Sequence, residues 1–185
     1  MRYLLWLALA LASCMPGAVP ERPEPSHRQQ KLLQASYDEV WKAARTTVDE
    51  AQLSITDADE SEGALRASMR RRSRSGEGLE RELSRVAELS KARQLGLGQL
   101  AEYVVVYTVE VRRAEDDRTG LDVSTEITAV DQQIVFLPPG IYRAIPRNFD
   151  VPSKGVLERQ FVEQIASHLL LSEEMLYSLG VLGRE

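Results

Sequence analysis

The chain has 185 residues, 43% of them hydrophobic and 28% charged, enough for one globular domain with tails and a core of its own. Its net charge of −5 argues against a general nucleic-acid binder, which is usually basic. A single cysteine, Cys14, excludes an internal disulfide framework and a zinc site built from several cysteines, and only His27 and His168 could supply imidazole to any other metal.

Met1-Arg2-Tyr3 gives a short positive start, and Leu4 to Ala12 is apolar. That run is far short of the roughly 20 residues a helix needs to span a bilayer, and it has the length of a signal-peptide core. Leu11-Ala12-Ser13-Cys14 follows, a branched apolar residue, two small residues and the cysteine. This stretch resembles the lipobox of bacterial lipoproteins. The resemblance implies that residues 1–13 are a lipoprotein signal peptide. It also implies cleavage before Cys14, diacylglyceryl transfer to its sulfur and acylation of the new amino group. The membrane is then a partner through that lipid. Position 15 is Met, not Asp. Under the enterobacterial sorting rule this implies the periplasmic face of the outer membrane rather than the inner membrane. The other readings are an ordinary secretory signal with an incidental cysteine, or a core cysteine. Pro16, Pro20, Pro23 and Pro25 speak against the last.

Met15 to Gln30 carries those prolines among mixed charges, so it cannot form a helix or pack a core. Residues 14–35 are expected to be the lipidated cysteine and an extended tether, with His27 solvated, and residues 36–185 a single domain. Ser36-Tyr37-Asp38-Glu39 fits a capping box. Tyr37, Val40, Trp41, Ala44, Val48 and Ala51 recur at helical spacing behind it. Leu53 to Thr56 reads as a strand, Asp57 to Gly63 as an acidic turn, and Leu65, Ala67 and Met69 as the buried face of a second strand. Arg70 to Gly78 is a polar junction. Leu79, Leu83, Val86 and Leu89 then predict one helix over 80–93. Tyr103 to Arg113 and Leu121 to Ala129 alternate apolar with polar residues across a turn, which predicts a long hairpin wet on one side. Gln132 to Pro152 reads as irregular, interrupted by Pro138, Pro139, Gly140, Pro146 and Pro152. Leu157, Phe161, Ile165 and Leu169 line a last long helix, and Ser172 to Leu179 reads as a further short one.

The expected fold is α+β: a two-layer antiparallel sheet of about four strands, with N- and C-terminal helices on one face and an inserted helix. The stretch Tyr37-Asp38-Glu39-Val40-Trp41-Lys42-Ala43-Ala44, with Leu53-Ser54-Ile55 and Gly63-Ala64-Leu65-Arg66-Ala67 after it, resembles the helix-grip domains of the lipoprotein C subunit of the β-barrel assembly machine. The resemblance covers about residues 36–70. It implies a non-enzymatic domain that works through protein contacts.

Catalytic patterns are missing: there is no nucleophile triad with family-like flanks and no phosphate-cradling glycine loop, and no cofactor is expected. Asp57, Asp59, Glu60 and Glu62 cluster in the acidic turn. A calcium loop would need Gly at its sixth position, where Glu62 stands, so a solvated turn is the plainer reading. His168 lies at the border of an apolar stripe. Arg70, Arg71 and Arg72 form the densest basic cluster, suited to anionic headgroups or an acidic partner, or else a solvated strand end. The segment 134–149 is the other candidate surface. Buried, the plainer expectation, it covers part of the sheet; exposed, its Phe136, Tyr142 and Phe149 form a docking patch. The expected function is therefore a lipid-anchored periplasmic interaction or assembly module of the envelope, with an envelope protein as partner and no nucleic acid. A binder of small apolar ligands, with a cavity lined by Val105, Tyr107, Val109 and Phe161, is the alternative. An enzyme using scattered carboxylates comes third.

Overall fold

A computed structural model describes residues 27–72, 77–115 and 118–178; Cys14, with the segments expected to be signal and most of the tether, lies outside the described residues. In chain order the elements are β1 (Arg28–Leu33), α1 (Tyr37–Glu50), β2 (Ser54–Asp59), β3 (Ala64–Arg72), α2 (Glu77–Val86), α3 (Leu89–Gln94), β4 (Leu100–Arg113), β5 (Thr119–Leu137), β6 (Ile141–Val151) and α4 (Val156–Ser178). The class is α+β. The sheet has six strands rather than about four, all pairings antiparallel, in the order β1-β5-β4-β3-β2, with β6 also on β5.

Three details depart from the sequence expectation, each for a physical reason. Strand β1 comes from the end of the expected tether, and its first five residues are exposed, so no burial pattern marks it. The helix expected over 80–93 is two helices. The chain between them turns aside to bond another segment: Ala87 bridges Ser153, the Glu88 amide donates to the Pro152 carbonyl at 2.8 Å, and the Lys154 amide donates to that of Val86 at 2.8 Å. The C-terminal segment, by contrast, does not split, and α4 runs unbroken to Ser178.

Helix α1 starts on the expected capping box. Glu39 N donates to Ser36 Oγ, and the Glu39 carboxylate accepts from the Ser36 amide at 2.9 Å. Such a cap contributes about 1 kcal/mol. Its stripe Val40, Trp41, Ala44 and Val48 is buried.

Alternation along β4 and β5 divides the sheet into two faces. Tyr103, Val105, Tyr107, Val109 and Val111 of β4, with Leu121, Val123, Thr125, Ile127 and Ala129 opposite them on β5, are buried. Helices α2 and α4 reach this face. Tyr103 Oη donates to Glu82 of α2 at 2.7 Å, and the Tyr107 ring stacks on Phe161 of α4 at 5.1 Å. Burial and the nearby Glu158 push the Tyr107 phenol up to about 12. Helix α4 is further tied down through Glu158, which is fully buried and accepts hydrogen bonds from Thr125 of β5 and from Ser153. Two hydroxyl donors give a buried carboxylate the hydrogen bonds it loses from water. The other face holds Val104, Val106 and Val130 among ion pairs such as Arg66–Glu126 at 3.0 Å.

Candidate interaction site

Strand β5 is longer than its neighbours, and the candidate site follows from that. On one edge it pairs with β4 only from Thr119 to Asp131. On the other edge β1 takes Thr119 to Ser124, and β6 takes Ile127 to Leu137, end to end. Beyond Asp131, then, β6 is the only strand partner of β5 among the described residues. Gln132–Leu137 and Ile141–Pro146 form a two-stranded arm that projects from the sheet. The segment expected to be irregular is thus a regular hairpin. Gly140 closes its tip at φ +100°, a conformation glycine adopts without strain, and its amide donates to the Leu137 carbonyl at 3.0 Å.

The arm is not folded back as a cover for the sheet. Exposure reaches 71% at Ile134, 57% at Phe136, 58% at Ile141 and 74% at Tyr142. Pairing places Phe136 opposite Tyr142, with ring centroids 5.2 Å apart, and Ile134 opposite Ala144. By alternation these continue the open face of the sheet. Val135, Leu137, Ile141 and Ile145 fall on the other side, with Arg143. Both sides of the arm are therefore apolar, and both are exposed.

An ion pair between a buried carboxylate and a partly exposed guanidinium stands where the arm leaves the sheet. Asp131, 1% exposed, is opposite Arg147. Arg147 Nε donates to Oδ1 at 2.9 Å and an Nη to Oδ2 at 2.5 Å, while the Gly98 amide donates to Oδ2 at 2.7 Å. The same guanidinium donates to the Gly96 carbonyl at 3.0 Å and lies over the Phe149 ring at 5.3 Å. Burial alone would raise the Asp131 carboxyl. The hydrogen bonds from Arg147 and Gly98, with the Arg147 charge, outweigh it and hold the group below the usual carboxylate range. Phe149, expected on the docking patch, instead packs under this clamp against the core, half-buried.

The basic cluster lies at the same end of the sheet. Register sets Arg72 beside Glu102 and Glu102 beside Val130, two residues before the arm begins. Arg70 and Arg72 share the single Glu102 carboxylate, Arg70 at 3.0 Å, and all three arginines are exposed or nearly so. By register and alternation Phe136, Tyr142, Arg70 and Arg72 fall on the open side of the sheet, while Arg71, opposite Tyr103, falls on the other.

The remaining candidates have other partners. Asp59 accepts from the Ser61 amide at 2.9 Å and the Glu62 amide at 3.1 Å, closing the acidic turn on itself. His168 meets Glu50 at 3.1 Å, between α4 and α1. Val105 and Val109 are buried in the core, while Tyr107 and Phe161, stacked on each other, also line an open cleft of about 510 Å³ with Leu53 and Leu157. Among the described residues, no group of three or more acidic, histidine or cysteine side chains could hold a metal ion, and no helix is long and apolar enough to cross a membrane. The sequence matches no protein-family model and no curated protein.

Proposed function

We propose that this protein is a lipid-anchored periplasmic module of the cell envelope that works by contact rather than catalysis, in an interaction or assembly role. One observation carries the reading: the hairpin arm, which exposes apolar side chains on both sides and joins the sheet at the Asp131–Arg147 ion pair. Such a surface is costly in water unless something covers it. The lipobox-like Leu11-Ala12-Ser13-Cys14 supports the address, with Cys14 anchored and the outer membrane favoured by Met15. An envelope protein is the proposed partner, meeting the arm and the open face continuous with it.

Two measurements test this. Cys14→Ala abolishes metabolic labelling with fatty acid and releases the protein from the membrane fraction; unchanged labelling removes the anchor. Affinity purification after cross-linking in intact cells recovers a specific envelope protein with the wild type. With Phe136→Ser and Tyr142→Ser together, recovery falls at least about tenfold, as expected when central apolar anchors are lost. Equal recovery with both chains removes the arm from the interface.

A further inference from the structure

We infer that the tip of the arm, Phe136 to Tyr142, inserts into the headgroup region of an anionic lipid bilayer, the same membrane in which Cys14 is anchored. The inference rests on the lipoprotein reading above and names a surface that the arm meets. Three features of the molecule favour lipid over a protein groove at the tip.

The first is symmetry of polarity. A groove on a protein covers one side of a hairpin. Here Phe136 and Tyr142 stand on one side of the tip and Leu137 and Ile141 on the other, and all four are exposed. Lipid surrounds an inserted element and covers both sides at once.

Charge is the second. The chain carries 28 acidic residues and a net charge of −5, yet none lies between Gln132 and Phe149. Arg143 stands exposed on the arm, and at the near end of the sheet exposed Arg70 and Arg72 share one carboxylate, Glu102, with exposed Arg71 between them in sequence. The projecting end is cationic on an acidic protein, the sign that anionic headgroups attract.

The third is reach. Strand β1 runs antiparallel to β5, with Arg28 opposite Ser124 and Leu33 opposite Thr119, so its first residue is the one nearer the arm. From that level to Leu137 is at most about 40 Å of strand, at roughly 3.3 Å per residue. The segment from Cys14 to His27 extends at most about 45 Å. Fully extended, that segment matches the distance from the start of β1 to the tip of the arm. With Cys14 in the membrane, the arm can stand between sheet and bilayer with its tip in the lipid.

Depth is limited by the backbone. Past Asp131 the outer edges of both arm strands have no strand partner, and such edges do not enter hydrocarbon. The tip sits among headgroups and water, where Tyr142 is suited. A protein partner then meets the arm behind its tip, through Ile134 and the open face, and Phe136→Ser with Tyr142→Ser lowers its recovery by unseating the arm from the membrane surface.

The test uses the protein purified from membranes, with Tyr142→Trp as reporter, in vesicles of equal phosphatidylglycerol and phosphatidylcholine. The same protein without that substitution supplies the background from Trp41. Emission at position 142 should shift to the blue, and lipids brominated near the headgroup should quench it at least twofold more than lipids brominated deep in the chain. Arg71→Ser with Arg143→Ser should reduce that quenching, and pure phosphatidylcholine should do the same. Unquenched emission in a protein that floats with the vesicles overturns the inference and leaves the tip to a protein. Equal quenching at both depths overturns the headgroup placement. Mass spectrometry of the purified protein reads acylation separately. Without acyl chains the anchor fails, while quenching from vesicles added outside still decides the tip.

Discussion

Asp131 is where a strand inside the sheet becomes a strand outside it, and its chemistry suits that place. Its carboxylate is almost fully buried, yet it receives two donors from Arg147 and one from the Gly98 amide. A carboxylate held below its ordinary range adds stability that is fully present above its unfolded value, about 3.9, and is lost as pH falls through the lower folded value. Wild-type stability should therefore begin to drop below about pH 5 and go on falling as pH passes through the lower folded value. Asp131→Asn keeps the shape but loses the charge-assisted bonds. At pH 7 it should lower Tm by about 5 °C. Its stability should also fall less steeply through the acid range, as followed by circular dichroism. An acid transition as steep as the wild type's would assign that pH dependence to other carboxylates. Neither Asp131 nor Arg147 stood out in the sequence, since a pair sixteen positions apart carries no local pattern until the register of β5 and β6 is known.

Among the elements, legibility follows periodicity. Strands β3, β4 and the first part of β5 face helices on one side and water on the other, and their alternating residues announce this. Helix α1 announces itself through Ser36, Glu39 and its stripe. The arm was hidden because both of its sides are apolar, so no alternation marks it. Pro146 also argued against a strand, but it is tolerated because β6 pairs on one edge only. Strand β1 was hidden for the opposite reason, being polar and exposed nearly throughout. The β2–β3 turn is the element whose glycine matters most. Gly63 has φ +68°, and a Cβ there would fall 2.0 Å from the Val111 carbonyl oxygen. That approach lets the Val111 amide donate to the Gly63 carbonyl at 2.8 Å, holding the turn against β4. Gly63→Ala should destabilise the fold by about 2–4 kcal/mol in urea unfolding, combining the left-handed conformation with a clash against backbone. A loss under about 0.5 kcal/mol would mean that the turn moves freely off β4.

For the whole molecule, these features divide the described chain into a body and an appendage. The body is the sheet from β2 to β5 with its helices. Its core extends along β5 as far as Ala129, with Asp131 sealing the end. Every strand partner of the arm past that point is the arm itself. An element that buries nothing in the body adds little to its stability, and its exposed side chains favour association. Because Asp131 and Arg147 face each other across the two strands, a two-residue Asn-Gly turn between them can replace Gln132–Pro146 and preserve both register and clamp. The shortened protein should keep its far-ultraviolet spectrum, melt within about 3 °C of the full chain and stay soluble at higher concentration. Partner recovery would be lost together with the arm. If the shortened protein instead melts about 10 °C lower or fails to fold, the hairpin is part of the structural core, and its apolar side chains are explained by folding rather than by contact.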